Sequence, residues 1–341
     1  MLKKLICTMT ALLFMTSCPV PASAETAQRE IEVDVPPVLL VLGDSIATGY
    51  GLEGYNNGKP GCDSYANLLA GKFKTELPDD SGAKLTNLAV DGMTSEGLLA
   101  ELKAGNMDAA LKEADCITVS IGGNDLLHSL WDFLADRGIT DTSSTSVTDV
   151  VSIVLHLGSL KEKLDTNLGI FEKNLGEIAS YINAHTEGTL IIQTLYDPFQ
   201  SFTLIPGFSG IAKDKIGKLD EYIRVHAGDA GSNYTVCDVA PEFEGKSNEL
   251  TNIGKIDIHP NADGHKVIAD CLEKTIRAGK YTYTQTYEIE ETAASVSASD
   301  TDSKESGSNW WIWLVLGLAG GGAAVSAVAV VIAKKRGKAA E

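Results

Sequence analysis

Four short polar stretches of this chain carry side chains that could do chemistry together: Gly43-Asp44-Ser45, Asn87-Leu88-Ala89-Val90-Asp91-Gly92, Gly122-Gly123-Asn124-Asp125 and Asp257-Ile258-His259-Pro260-Asn261. A serine hydroxyl is a poor nucleophile at neutral pH and needs a base within hydrogen-bond reach as it attacks a carbonyl carbon. His259 is the natural base for Ser45. Attack places negative charge on the former carbonyl oxygen, where fixed hydrogen-bond donors lower the barrier, each by about 3 kcal/mol. The backbone N–H groups of Ser45 and Gly92 and the side-chain amide of Asn124 could supply three such donors, and Gly92 has no side chain to block a substrate.

Each stretch also has a plainer use. Ser45 could cap the helix that follows it, Gly122 and Gly123 could be turn glycines, and Asn124 could bond its own backbone. Those uses leave unexplained why polar, glycine-rich turns recur in order after successive apolar runs. His265 competes with His259 as a base, but it falls in the first turn of the closing helix, where a packing or surface role fits better. His128, His156, His185 and His226 lie in helical segments and read as structural or exposed.

The elements that must position these groups alternate. Apolar runs at 38–42, 85–90, 116–121, 190–195 and 234–239 read as strands, the first of them without polar alternation, as burial on both faces requires. Helical patterns follow at 64–77, 95–103, 160–185, 213–226 and 262–278. Repeated strand–helix units predict a parallel sheet covered by helices on both faces. Parallel strands share one carboxyl edge, so residues some 200 positions apart can converge there. The stretch 126–159 does not fit the basic unit: Leu126, Leu127, Leu130, Trp131, Phe133 and Leu134 make an apolar helical face that would serve as a lid, a pocket wall or core packing.

The ordered set of four stretches resembles the SGNH hydrolases, also called the GDSL esterase and lipase family, over essentially the whole span from 38 to about 277. The resemblance implies a three-layer α/β/α sandwich with a five-stranded parallel sheet of the flavodoxin-like kind. It assigns Ser45 as nucleophile, His259 as catalytic base, and Ser45, Gly92 and Asn124 as the oxyanion hole. It implies a metal-free, cofactor-free hydrolysis of ester bonds through an acyl-enzyme, on a small-molecule or lipid acyl ester. A carbohydrate acetylesterase of the same family and a non-catalytic surface binder on the same fold are the alternatives. One position departs from the pattern. The family's acidic residue stands three before its histidine, where this chain has Ile256, and Asp257 comes one residue late. Either Asp257 reaches the imidazole through an altered turn or a backbone carbonyl orients it. Asp44 supports the turn beside the nucleophile.

Both ends read as addresses. Lys3 and Lys4, an uncharged apolar stretch and Pro21-Ala22-Ser23-Ala24 make a cleaved signal peptide of residues 1–24. Residues 310–333 are uncharged and would span roughly 36 Å as a helix, against a hydrocarbon core of about 30 Å. Trp310, Trp311 and Trp313 cluster at the start of this span, where an interfacial aromatic belt would sit, and Lys334, Lys335, Arg336 and Lys338 follow its end, which predicts a single-pass helix, a basic cytoplasmic tail at 334–341 and a body outside the cell. Between them lie an extension at 25–36, a catalytic domain at 37–280 and an acidic, Ser/Thr-rich linker at 281–309. A net charge of −18, which deepens to −23 over residues 25–309 with 22 basic against 45 acidic residues, excludes nucleic acid as a partner. Cys62, Cys116, Cys237 and Cys271 remain after signal removal and allow three two-bridge pairings, while their wide spacing argues against a structural zinc site. The oligomeric state is left open.

Overall fold

The computed structural model describes residues 25–56, 61–77, 84–139 and 146–289. The expected signal peptide, the membrane span, the tail and most of the linker lie outside these. No helix among the described residues is long and apolar enough to cross a membrane. The compact unit that carries the site runs from Glu30 to Thr284.

Its centre is a five-stranded sheet of β2 (Val38–Gly43), β3 (Lys84–Asn87), β4 (Cys116–Ser120), β5 (Thr189–Gln193) and β6 (Thr235–Cys237), ordered β3-β2-β4-β5-β6 and parallel throughout. Successive side chains of a strand point to opposite faces, and here both faces are covered. Leu39, Val41, Cys116 and Ile191 pack on one side with α2 (Tyr65–Glu76) and α11 (Ala262–Arg277), through residues such as Leu69, Phe73, Ile268 and Leu272. Leu40, Leu42, Ile117, Val119 and Ile192 face the other side. There α3 (Ser95–Lys103), α4 (Asp108–Glu113), α5 (Gly123–Ala135), the long α7 (Leu157–His185) and α8 (Phe208–Val225) contribute Leu102, Leu111, Phe133, Phe171 and Leu219. Burial on two faces is why β2 is apolar without interruption.

Connections leave β2 toward β3 on one side and β4 toward β5 on the other, so the chain changes direction between β2 and β4. In open parallel sheets a crevice forms at such a switch, outside the carboxyl ends of the two strands. β2 and β4 end in register, Gly43 opposite Ser120. Gly43 has φ +140°, and a Cβ there would lie 2.2 Å from the Ser120 carbonyl oxygen, so only glycine lets the two strand ends close up.

The edges differ from the sequence reading. Residues 281–289, expected as the start of a solvated linker, form β7 (Tyr281–Ile289), and 25–33, expected as an extension, form β1 (Glu25–Val33). The two strands pair with each other. The signal is two-residue alternation: Tyr281 and Tyr283 are buried while Thr282 and Thr284 are exposed. β3 stops at Asn87 rather than 90 because the Asn87 side chain turns the chain. Its Oδ1 accepts from Ala89 N at 3.0 Å and its amide donates to the Ala47 carbonyl at 2.9 Å. The 126–159 stretch forms most of α5, then α6 (Val147–Leu155) and the start of α7. Among the described residues all four cysteines are free thiols, with the Cys237 and Cys271 sulfurs 3.3 Å apart.

Candidate active site

Ser45 opens α1 (Ser45–Thr48), a single turn placed directly after β2. Asp44 caps that turn, its carboxylate accepting from Ile46 N at 3.0 Å. Burial pushes the Asp44 carboxyl up to about 7, the Ile46 N–H opposing the rise and the charges of Asp125 and Asp91 adding to it. As the first residue of a helical turn, Ser45 has an N–H with no partner within the helix.

The imidazole comes from the far end of the chain. Two short helices, α9 (Ala240–Phe243) and α10 (Ser247–Leu250), and a 3₁₀ turn (Ile253–Lys255) bring the chain to Ile256, whose φ of +59° lies in the left-handed region; it is the one non-glycine residue there among the described residues. The loop beyond is pinned from several sides. Tyr196 Oη donates to the Ile258 carbonyl at 2.9 Å, Asn252 N donates to the His259 carbonyl at 2.9 Å, and Asn261 caps α11 by accepting from Asp263 N and Gly264 N.

The result is a linear arrangement. His259 Nε2 lies 2.9 Å from Ser45 Oγ, and His259 Nδ1 lies 2.5 Å from Asp257 Oδ1. A carboxylate only accepts, so Nδ1 carries the proton and Nε2 is left to accept from the serine hydroxyl. Asp257 Oδ1 also accepts from His259 N at 3.0 Å, which fixes it in place. Of the two ways left open by the sequence, the carboxylate is the one in contact with the imidazole. The competitor His265 is fully buried in α11, where its Nδ1 accepts from Tyr65 N at 3.1 Å. His128 and His156 are exposed, and His226 pairs with Asp229 and Glu172.

Gly92 and Asn124 line the same cavity as Ser45, His259 and Asp257. Gly92 has φ +76° with nothing within 4 Å of where a Cβ would sit, so its glycine is demanded by conformation rather than by room. Asn124 lies in the first turn of α5, at the end of β4, and its Nδ2 donates to the Met93 carbonyl at 3.0 Å and lies 3.4 Å from Asp44 Oδ2. The amide is thereby held at the crevice between β2 and β4.

Several supporting residues escaped the sequence reading. Asp91 accepts from Thr48 Oγ1 at 2.6 Å and from the Tyr55 hydroxyl, tying the Gly92 turn to the helical turn that bears Ser45. The Tyr50 ring lies over the His259 imidazole, with centroids 4.7 Å apart. Thr48, Tyr50 and Tyr55 all follow Ser45 within ten positions, and nothing in their spacing marks them except that nearness.

Beyond the polar end the cavity, about 810 Å³, is apolar. Leu127, Leu130 and Trp131 of α5 and Val150 and Ile153 of α6 form one wall, and Phe199, Phe202 and Ile205 the opposite one. The 126–159 stretch thus supplies both core residues, such as Phe133, and a wall of the crevice. Among the described residues no cluster of three or more His, Cys, Asp or Glu side chains is placed to hold a metal ion.

Comparison with known proteins agrees with this geometry. The model of the GDSL-like lipase/acylhydrolase family matches residues 41–267. The uncharacterized protein YpmR of Bacillus subtilis (strain 168) is 27% identical over 282 residues, which is 78% of this chain and 92% of that protein. Among solved structures, a lipase from a goat rumen metagenome superposes with a TM-score of 0.52 at 20% identity, covering 70% of this chain and 96% of its own. An extracellular lipase from Streptomyces rimosus gives 0.50 at 17% identity, covering 70% and 99%. The two structures share the fold, and the family match takes in well over half the chain and all five site positions. This chain belongs to the GDSL-like lipase/acylhydrolase family and is an ester hydrolase.

Proposed function

We propose that the protein hydrolyses acyl esters with a long aliphatic acyl group, lipids among them, at the outer face of a cell membrane. The carrying observation is that the Ser45–His259–Asp257 chain of contacts lines a large cavity whose other walls are apolar. Ser45 Oγ attacks the ester carbonyl while its proton passes to His259 Nε2, and the charged imidazolium is stabilised by Asp257. The oxygen that becomes negative is received by the N–H groups of Ser45 and Gly92 and the amide of Asn124. His259 then returns the proton to the departing alkoxide, leaving Ser45 acylated. Water, deprotonated by the same imidazole, releases the acid and restores the hydroxyl.

Burial of an aliphatic chain is favourable by about 0.8 kcal/mol per methylene, so an apolar cavity of this size favours long acyl groups over acetyl. That is the reason for preferring lipid-like esters to acetylated sugars. The location rests on the apolar runs of residues 1–24 and 310–333 and on the basic residues after the second.

The test is a series of nitrophenyl esters offered to the full chain. Turnover efficiency should rise from acetate through butyrate and octanoate to laurate, and Ser45→Ala should abolish all of it while the circular dichroism spectrum is retained. A Ser45→Ala protein as active as the parent would remove the mechanism. A preference for acetate would remove the substrate class and leave the mechanism standing.

A further inference from the structure

Helix α6 is apolar on both sides. Val150 and Ile153 line the cavity, whereas Val147, Val151 and Leu155, one helical turn apart, are 82%, 51% and 75% exposed on the opposite face. Its one charged residue, Asp149, is taken up by the capping box with Ser146. A helix on the surface of a globular domain normally turns charged and polar residues to water, and this one turns valine and leucine. The patch continues around the cavity mouth, where Trp131 and Leu204 both line the cavity and stand half or more exposed.

We propose that the outer face of α6, with Trp131 and Leu204, docks this domain on a phospholipid bilayer, the cavity mouth turned to the lipid. Two observations choose the occupant. A second copy of the chain or a protein partner seated on this patch would also close the mouth, because the rim residues belong to it. A lipid surface covers the patch and delivers acyl chains to the cavity in the same act. The sequence itself favours a bilayer: the uncharged run 310–333, with tryptophans at its start and basic residues after its end, reads as a membrane anchor.

Docking deepens the proposed function but is read out without turnover. The full chain is inserted in phosphatidylcholine vesicles carrying either Val151→Cys or Val225→Cys; Val225, on α8, is 59% exposed. Each is treated with a membrane-impermeant maleimide, and labelling is followed by peptide mass. The thiol introduced at 151 should react at least about tenfold more slowly than that at 225, as an apolar side chain withdrawn from water implies. Equal rates overturn the proposal. Protection that disappears when chains are diluted to one per vesicle overturns it too, since a second copy is then the cover. A kinetic arm follows. Val151→Asp with Leu155→Asp should leave hydrolysis of soluble nitrophenyl butyrate unchanged and slow hydrolysis of a bilayer-embedded ester by about tenfold or more. Equal slowing on both substrates, or on neither, is against docking. A wild-type chain that hydrolyses neither ester defeats the catalytic reading and leaves the labelling result to decide the docking.

Discussion

Asp257 stands two residues before His259, nearer than the family spacing, and still contacts Nδ1 because Ile256 reverses the chain in front of it. Replacing Asp257 by Asn keeps the shape but not the proton. An Asn amide would donate to Nδ1 and force the proton onto Nε2, which then has no lone pair for the serine hydroxyl. Asp257→Asn should therefore lower kcat by roughly 10³ to 10⁴ with little change in KM, measured by steady-state kinetics on a soluble nitrophenyl ester. A loss of less than tenfold would mean that a backbone carbonyl orients the ring. The reversal itself costs energy, since a side chain with a branched Cβ in the left-handed region is strained by about 1–2 kcal/mol. Ile256 is more than half exposed, so little packing is lost on changing it. Asn tolerates the left-handed region, and Ile256→Asn should raise stability by about 1 kcal/mol, seen as a higher urea midpoint at unchanged slope.

The apolar cavity is made by elements that the basic strand–helix repeat does not contain, α5 with α6 on one side and the 198–208 loop on the other. Ile153 sits on the inner face of α6 with its side chain buried against that space. Ile153→Trp should fill part of the cavity, cutting kcat/KM for laurate esters by about tenfold, the worth of one or two buried methylenes, while acetate esters are spared. Equal effects on both lengths would place the acyl chain elsewhere. This division also explains what could be read in advance. The sheet, its five strands and the four polar turns are encoded by local patterns: short, mostly apolar runs, and glycine or asparagine where a strand ends. The joining of Ser45 to His259 followed from parallel strands sharing an edge. The pairing of β1 with β7 did not, because alternating Tyr and Thr in 281–284 is too short to stand out beside an acidic, Ser/Thr-rich tract. Nor did the links from Thr48 and Tyr55 to Asp91, which join residues about 40 apart through side chains with no periodic signature.

Across the whole compact unit, three buried groups with large displacements contribute to how stability depends on pH. Burial pushes the carboxyls of Asp44, beside the nucleophile, and Asp220, on α8, up to about 7 from an ordinary value of 3.8. Burial holds the imidazole of His265, on α11, down to about 3 from 6.5. As pH rises from about 4 to about 7, the unfolded chain releases the protons of Asp44 and Asp220 while the folded chain keeps them, so folding weakens over that window. As pH falls from 6.5 toward 3, the unfolded chain takes a proton on His265 that the folded chain refuses, so folding weakens in that direction as well. The two trends oppose one another between pH 4 and 6.5, and a melting curve of the wild type alone would hide both. A difference curve separates them. Asp44→Asn removes one ionisation and keeps an oxygen for the Ile46 N–H, so its stability relative to wild type should climb between pH 4 and pH 7 and level off above. The climb should be a few kcal/mol, on the order of 1.4 kcal/mol for each unit of displacement. Urea unfolding at pH 4, 5.5 and 7.5 measures it. A difference that stays flat means that Asp44 is already ionised in the folded protein at pH 4. The carboxylate would then be charged beside the Asn124 amide, holding that donor away from an incoming substrate oxygen.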